Sequence, residues 1–523
     1  MLSKIAQILS KRQDSNDTSN ANQEQTILTL SIGVNENIQS IQKLLDSPSD
    51  LITRTFNVGS THHLCAIVCI AGLIDKNMIN DQLLKNMLIH IPDEHIQLPA
   101  AAGDIITALE TEILSIHSIE RVHTMDDVML AVLDGDTALF VDGIDQVLIV
   151  SSKGWTNRAI EEPQSEALIR GPRDGFTEDI RINTVLIRRR IRDSNLRFYS
   201  DRIGRRAKKQ VVIAYVDGIV HPELVKEVKR RMKTVDMDDS EGAGFIEQWI
   251  ADSFLSPFPL ILNTERPDKV CTALLQGRVA ILVDGTPFAL ILPITLVSAF
   301  QSPEDYYSNW LISSLIRGLR MVAAFISTFL PAIYIALVEY HHGMIPSKLA
   351  FSIAGSREGV PFPAVIEAIM MEITLEILRE AGIRLPKPIG QTIGIVGGLV
   401  IGEAAVAAGI VSPIMVIVVS LTAITSFVLP VYSFSMAFRI IRFLIMLTAA
   451  FFGLYGVIFA YIMINIHIVN LKSFGIPYST PFAPNFMNDW KDVILRAPVT
   501  MLNKRPQMLQ TKDDKRQNDD KTK

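Results

Sequence analysis

The chain has few cysteines and little net charge. Only Cys65, Cys69 and Cys271 occur among its 523 residues, and their odd number and spacing argue against a disulfide-stapled secreted domain. The formal net charge is −5, which argues against a protein whose main partner is nucleic acid. The N-terminal residues lack an apolar segment followed by a small-residue cleavage site, so no signal peptide is expected.

The common local signatures of enzymes are also missing. The sequence contains no GxxxxGK[ST], no GxGxxG after a strand, no GxSxG and no HExxH. We therefore predict that the chain is not an enzyme and binds no cofactor. His62, His63, Cys65 and Cys69 lie close together, but cysteines four residues apart on an apolar helix are typical of small buried hydrophobes, and no metal site is predicted.

An internal repeat lies in the first 310 residues. Residues 128–143, VMLAVLDGDTALFVDG, align without a gap with residues 270–285, VCTALLQGRVAILVDG. Each copy predicts a helix that ends at a glycine, then an apolar strand, an Asp-Gly turn and a second strand at 146–150 or 288–292. The Asp-Gly pairs are interpreted as turns and not as catalytic residues.

These patterns predict a soluble α/β region of two related modules, followed by an all-α polytopic membrane domain of four to five helices. The predicted parts are a disordered N-terminus (1–27), a first module (28–153), an Arg-rich connector (154–210), a second module (211–310), a transmembrane domain (311–470) and a C-terminal tail (471–523). Within the tail, residues 504–523 are interpreted as a solvated, charge-mixed segment.

The connector concentrates positive charge. Its arginines are either a solvated helix face or a contact with anionic lipid headgroups or an acidic neighbouring subunit, and binding to nucleic acid is not expected because no aromatic residues are interleaved. The candidate contact residues are Arg188, Arg189, Arg190, Arg205 and Arg206.

Apolar spans are predicted at residues 319–340, 389–410, 413–432 and 443–465. Arg317 and Arg320 flank the start of the first span and place the soluble region on the cytoplasmic side, and Arg439 and Arg442 are interpreted as a cytoplasmic loop. The sequence does not settle on which side the C-terminal tail lies.

Residues 361–379 are more polar than the other segments because Glu367, Glu372 and Glu376 lie within them. The segment is either an interfacial amphipathic helix or a helix that is enclosed by protein or lined by water, whose acids form a vestibule or an intersubunit pair. The enclosed or water-lined alternative is favoured.

Gly394, Gly398 and Gly402 recur every four residues in the span 389–410, and Glu403 follows directly. Glycines at this spacing allow close helix contact, which is one interpretation. The other is that this helix, with Glu403, lines a path for ions.

Several long motifs resemble the A subunit of GerA-type spore germinant receptors. They are residues 256–296 (SPFPLILNTERPDKVCTALLQGRVAILVDGTPFALILPITL), 301–307 (QSPEDYY), 356–363 (SREGVPFP) and 379–406 (REAGIRLPKPIGQTIGIVGGLVIGEAAV), and the resemblance runs from about residue 118 to 498.

The resemblance implies a multi-pass protein of the spore inner membrane whose soluble region faces the core. It implies a transporter-like B subunit and a lipoprotein C subunit as partners, and a ring of A subunits, commonly taken in the family to be a pentamer, that acts as a nutrient-gated channel for monovalent cations. The alternatives are a SpoVA-type A-like channel that amplifies germination without sensing a nutrient, and a non-conducting membrane scaffold or transporter component.

Overall fold

The computed structural model describes residues 30–58, 63–88, 106–107, 109–110, 114, 118–152, 154, 162–163, 166, 168–239, 241–384, 400–493 and 495–517. The predicted disordered segment 1–27 lies outside these residues. The chain forms two compact units, residues 1–156 and residues 157–523.

The first unit contains a five-stranded sheet in the order β1-β2-β4-β5-β3, in which every neighbouring pair is antiparallel. Helices precede and separate the strands, and α2 contains a π-helical stretch from Ile79 to Leu84. The elements are α1 (Val34–Leu44), β1 (Leu51–Asn57), β2 (Leu64–Ile70), α2 (from Lys76–Met78 through Ile79–Leu84 to Lys85–Leu88), β3 (Ile119–Val122), α3 (Met125–Leu133), β4 (Thr137–Val141) and β5 (Val147–Val150).

The second unit begins with a sheet of the same topology, β6-β7-β9-β10-β8, again antiparallel throughout. The match confirms the duplication, since each strand occupies the position of its counterpart five strands earlier. The elements are α4 (Ile180–Arg190), β6 (Leu196–Ile203), β7 (Lys209–Val216), α5 (Pro222–Met232), α6 (Ala243–Ile250), β8 (Leu262–Thr264), α7 (Pro267–Leu275), β9 (Val279–Val283) and β10 (Ala289–Leu292).

The second module starts earlier in the chain than predicted. Helix α4 and strand β6 lie within the predicted connector, 154–210, and β6 pairs with β7 over its whole length. The strand alternates buried Leu196 and Phe198 with more exposed residues, as a sheet edge covered on one face requires. Its arginines hid this alternation in the sequence.

The same helix-capping contact occurs once in each module. The side chain of Asn37 donates to the carbonyl oxygen of Ser31 at 2.6 Å and accepts from its backbone N–H at 2.9 Å. Asn183 makes the same two bonds to Thr177, at 2.6 and 2.8 Å. Both asparagine side chains are buried. Each one pairs with the N–H and C=O groups of a residue that precedes its helix.

The repeated Asp-Gly turns have a structural task. The carboxylate of Asp142 accepts the first helical N–H of α1, from Val34 at 3.2 Å, and Asp284 accepts that of α4, from Ile180 at 3.4 Å. A carboxylate at a helix N-terminus compensates the unpaired N–H groups there. The turn therefore joins the sheet to the helix that starts each module.

The predicted order of helix, glycine, strand and strand is confirmed in both copies. Gly135 and Gly277 have φ of 95° and 93°, the left-handed conformation that ends a helix at little cost only in glycine. The prediction that Cys65 and Cys69 lie on a helix was wrong, because both lie on one face of strand β2. Their positions four apart fit both a helix face and a strand face.

The rest of the second unit is mostly helical. After the short α8 (Glu304–Tyr307), the helices are α9 (Trp310–Glu339), α10 (Ser347–Arg357), α11 (Ala364–Arg384), α12 (Pro413–Ser426) and α13 (Tyr432–Asn470), with residues 400–407 also helical. Among the described residues α9 and α13 are long and apolar enough to cross a membrane, and α12 is a shorter apolar helix. The number of spans stays a prediction.

Helix α13 is folded back on itself at Gly453, where φ is 57° and ψ is −138°. Phe258 contacts both Phe438 and His467, with ring centroids 5.9 and 6.2 Å apart, although a straight helix would separate those two residues by about 44 Å. Residues 432–452 and 454–470 are therefore antiparallel helices, each roughly the length that crosses a bilayer core of about 30 Å. The sequence predicted one span here.

Side-chain contacts fix the directions of the other helices. Glu339, at the end of α9, accepts the backbone N–H of Val365 at 3.2 Å, so α11 begins where α9 ends. Glu367 accepts the N–H of Ser412 at 2.7 Å, so α12 begins at the same end of the bundle as α11. Both helices therefore run antiparallel to α9.

The C-terminal segment returns to the second module. The Tyr478 hydroxyl donates to the carbonyl oxygen of Pro259 at 2.9 Å, and Arg505 Nε donates to that of Leu275 at 2.9 Å. The segment thus contacts the second module, and its described residues 504–517 include the Arg505 contact, although the sequence predicted a solvated segment at 504–523. The structure places this segment at the module's end of the bundle.

Candidate functional site in the helical bundle

Two ion-pair layers join α11 to the first half of α13. Glu372 Oε2 lies 2.8 Å from Arg442 Nη2, and Glu376 Oε1 lies 2.8 Å from Arg439 Nη1. Glu376 Oε2 also accepts from Arg379 Nη1 at 2.7 Å. The two acids are four residues apart and the two arginines three, so within each helix the two charged residues lie about one turn apart. Because the later acid pairs with the earlier arginine, the two helices run antiparallel.

A third acid lies at the other end of α11. Glu367 is completely buried, and its Oε1 lies 3.2 Å from Arg357 Nη2 while Oε2 accepts the backbone N–H of Ser412. One carboxylate thereby ties together α10, α11 and the start of α12. The enclosed alternative for the segment 361–379 thus fits the structure, since Glu367 and Glu372 are both inside the bundle.

Charges also converge where the bundle meets the second module. Asp305 accepts from Arg317 Nε at 3.1 Å and from Arg320 Nη1 at 2.8 Å. Arg317 reaches Asp492 of the C-terminal segment at 3.0 Å, and the Tyr306 hydroxyl donates to the same carboxylate at 2.7 Å. Burial raises the pKa of Tyr306 far above its usual value, so this hydroxyl remains a donor.

The glycine ridge is described only at its end. Gly394 and Gly398 lie outside the described residues, whereas Gly402 is buried and a β-carbon there would lie 3.5 Å from Val416 of α12. The neighbouring Glu403 is exposed. Residues 400–407 thus present a glycine to α12 and carry an exposed carboxylate.

The five candidate arginines are not equivalent. Arg188 is buried and stacks on Phe198, with its guanidinium carbon 4.9 Å from the ring centroid. Arg190 Nη2 donates to both carboxylate oxygens of Asp174, at 2.5 and 2.7 Å. Arg205 pairs with Asp236, Arg206 lies 3.7 Å from Asp238, and Arg189 is exposed. Arg188 is therefore too buried to reach a lipid surface.

Arg439 and Arg442 are the residues whose role sequence reasoning missed. The prediction of a cytoplasmic loop was wrong, since both side chains lie buried inside helix α13. The signal was present in the spacing, because two arginines three apart match two glutamates four apart on another helix. Counting positive charges at span ends assigned them to a loop.

The ion pairs of the bundle hold its helices together and are not suited to binding a free ion. Glu367, Glu372 and Glu376 are each neutralised by arginine, and paired carboxylates are poor ligands for a passing cation. Among the described residues no group of three or more His, Cys, Asp or Glu side chains could hold a metal. Glu403 differs, since it is exposed on a helix that packs closely on another.

Comparison with known proteins gives consistent matches over most of the chain. It is 50% identical over 487 residues to the spore germination protein GerLA of Bacillus cereus, covering 93% of this chain and 98% of that protein. It is 42% identical to spore germination protein B1 of Bacillus subtilis, over 92% of this chain and 98% of the relative.

The chain is also similar to a solved structure, the N-terminal domain of the A subunit of the Bacillus megaterium spore germinant receptor GerK3. The sequence identity is 34%, the match covers 51% of this chain and 96% of the solved domain, and the TM-score is 0.40. The family model of the Bacillus/Clostridium GerA spore germination proteins matches residues 39–508. The chain therefore belongs to the GerA family of spore germination proteins.

Proposed function

We propose that this chain acts in spore germination as the A subunit of a germinant receptor, and that a ring of copies conducts monovalent cations when a nutrient is bound. Family membership over most of the chain supports the germination role. The receptor would sit in the spore inner membrane, with the sheet modules on the core side and with a transporter-like B subunit and a lipoprotein C subunit as partners.

The observation that carries the conduction proposal is the exposed carboxylate of Glu403. Glu367, Glu372 and Glu376 are paired with arginines of the same chain, so they are already neutralised. A carboxylate in an apolar segment is costly unless it faces water or a partner. In a ring of subunits, Glu403 side chains would form an acidic ring that favours cations over anions.

The buried acids have a different task in this proposal. Glu367, Glu372 and Glu376 hold α10, α11, α12 and α13 in register within each subunit. The exposed arginines Arg189, Arg190, Arg205 and Arg206 contact lipid headgroups or an acidic neighbouring subunit.

The test is potassium release from liposomes that contain the chain with its B and C subunits, measured with a nutrient panel. Glu403→Gln is expected to lower the nutrient-dependent flux at least about tenfold, as loss of a ring of charges should. Glu358→Gln is the matched control, since Glu358 is exposed beyond the end of α10. It should leave the flux unchanged.

Three outcomes would contradict the proposal in different ways. Normal flux with Glu403→Gln would remove this residue from the path. Potassium flux that is the same with and without each nutrient would favour an amplifying channel of the SpoVA type. Absence of flux from properly assembled complexes would favour a non-conducting scaffold.

A further inference from the structure

The second unit contains an arginine-lined cavity between its sheet module and the C-terminal segment. Its volume is about 280 Å³, and an adjoining cavity of about 240 Å³ shares several of its lining residues. Arg278 lines both, from the turn between α7 and β9, while Arg496 and Arg516 approach from the C-terminal segment. The volume is close to the lower end of small-molecule sites.

Arg278 is buried without an acidic partner among the described residues. Only 6% of its surface is exposed, its Nη1 donates to Ser298 Oγ at a long 3.4 Å, and its Nε has no partner. Burial lowers the pKa of the Arg278 guanidinium to about 10, because the charged form loses hydration. Such a cation is normally paired when it is buried.

Other polar groups around the same space are also unpaired. The Thr295 hydroxyl and the Arg496 Nε are buried and make no hydrogen bond within the described part of the chain. Thr295 lines the smaller cavity, and Arg496 the larger. Buried polar atoms are satisfied in the great majority of cases, so several unpaired donors around these two adjoining cavities indicate a missing acceptor.

The acids that line the cavities are already engaged. Asp268 accepts two hydrogen bonds from Arg266, at 3.1 and 3.0 Å. Asp492 is bound by Arg317 and a tyrosine, and Asp489 accepts the backbone N–H groups of residues 507 and 508. None of these carboxylates compensates Arg278, so the net field in the cavity favours an anion.

Part of the lining is apolar. Ile291, Val499 and Leu502 face the larger cavity, together with the ring of Tyr306, which also has the Arg496 guanidinium 5.6 Å from its centroid. Apolar walls beside a guanidinium suit a ligand with an anionic head and an apolar body. A phosphate ion would leave these walls without a partner.

We propose that this cavity binds a small organic carboxylate, whose carboxylate group accepts hydrogen bonds from Arg278 and whose apolar part lies beside Tyr306. Because one wall belongs to the sheet module and the other to residues 496–516, the bound ligand holds the C-terminal segment against the module. The site is separate from the proposed ion path and does not depend on conduction.

The experiment is calorimetric titration of the full-length chain in detergent with benzoate, benzamide and inorganic phosphate. Benzoate is expected to bind, and its neutral isostere benzamide is not. Arg278→Gln should weaken benzoate binding at least about tenfold, the effect of losing a charge-assisted hydrogen bond. Arg230→Gln is the matched control, since Arg230 is exposed on α5 and pairs with Glu227. It should bind benzoate as the parent chain does.

A second measurement reports on the C-terminal segment itself. Benzoate should slow trypsin cleavage after Lys512 and Lys515 in the parent chain and in Arg230→Gln, but not in Arg278→Gln. If Arg278→Gln does not fold, Arg496→Gln carries the same test. Equal binding of benzoate and benzamide, or undiminished binding by the folded variant, would overturn the proposal. Binding of phosphate without benzoate would overturn the assignment to a carboxylate.

Discussion

The buried pair of Glu372 and Arg442 allows the reasoning about the bundle to be tested by a double-mutant cycle. Both side chains are almost completely enclosed, at 3% and 1% exposed, with Glu372 Oε2 and Arg442 Nη2 2.8 Å apart. Glu372→Met leaves the guanidinium buried without its carboxylate, and Arg442→Met leaves the carboxylate without its guanidinium. We expect each single variant to lower the free energy of unfolding by about 3–5 kcal/mol.

The double variant should behave differently. Replacing both members of a buried ion pair with apolar side chains of similar length removes the desolvation cost together with the attraction, and is often neutral or stabilising. We therefore expect Glu372→Met/Arg442→Met to recover most of the lost stability, with a coupling energy of about 2 kcal/mol or more. The assay is unfolding of the detergent-solubilised chain in SDS, followed by circular dichroism.

The control is the pair of Glu380 and Arg384, one turn apart near the end of the same helix. Their side chains are 59% and 76% exposed, so Glu380→Met should cost no more than about 1 kcal/mol. Additive losses in the cycle at Glu372 and Arg442, or a loss no larger than at Glu380, would refute the inference that the pair is buried and joins α11 to α13.

Three further predictions concern other parts of the fold. Gly453→Ala should lower the midpoint of thermal unfolding by the equivalent of about 1–3 kcal/mol, because φ is 57° at this residue. Gly318→Ala is the control and should be neutral or slightly stabilising, because a β-carbon at this helical position would meet no other atom. Asn183→Ala should cost about 1–3 kcal/mol in urea unfolding, since it leaves two half-buried backbone groups of Thr177 without their partner, and no loss would contradict the capping role. Burial raises the pKa of Cys65 to about 12 and that of Cys69 to about 11, from the usual value of 9.0. Because only the thiolate reacts, iodoacetamide should alkylate the native chain at pH 8 at least about 100-fold more slowly than the urea-unfolded chain. Equal rates would show that β2 is accessible.

The sheet modules were largely predictable because their signals are local. Gly135 and Gly277 end helices through a left-handed conformation, and the Asp-Gly turns separate strands, so a short window of sequence suffices. Strand β6 was missed because its arginines read as a charge run, although Leu196 and Phe198 alternate as a strand requires. The capping by Asn37 and Asn183 could have been found by extending the repeat to the start of each module.

The candidate site was less predictable, for a different reason. Glu376 and Arg439 are 63 residues apart, and no spacing rule within one helix relates them. The same limit applies to the fold-back at Gly453, where an apolar run of helix formers reads as one span. The backbone angles of Gly453 and the contacts of Phe258 with both halves of α13 reveal two helices.

The sequence by itself determined the duplication, the family and the division into sheet modules and apolar helices. These depend on periodicity, turn chemistry and composition, which are properties of neighbouring residues. The tertiary structure alone decided which acids are neutralised, that Glu403 is left exposed, and that the C-terminal segment closes over Arg278. Those outcomes depend on which distant side chains packing brings within a few ångströms, because a charge is stabilised or left uncompensated by its neighbours in space.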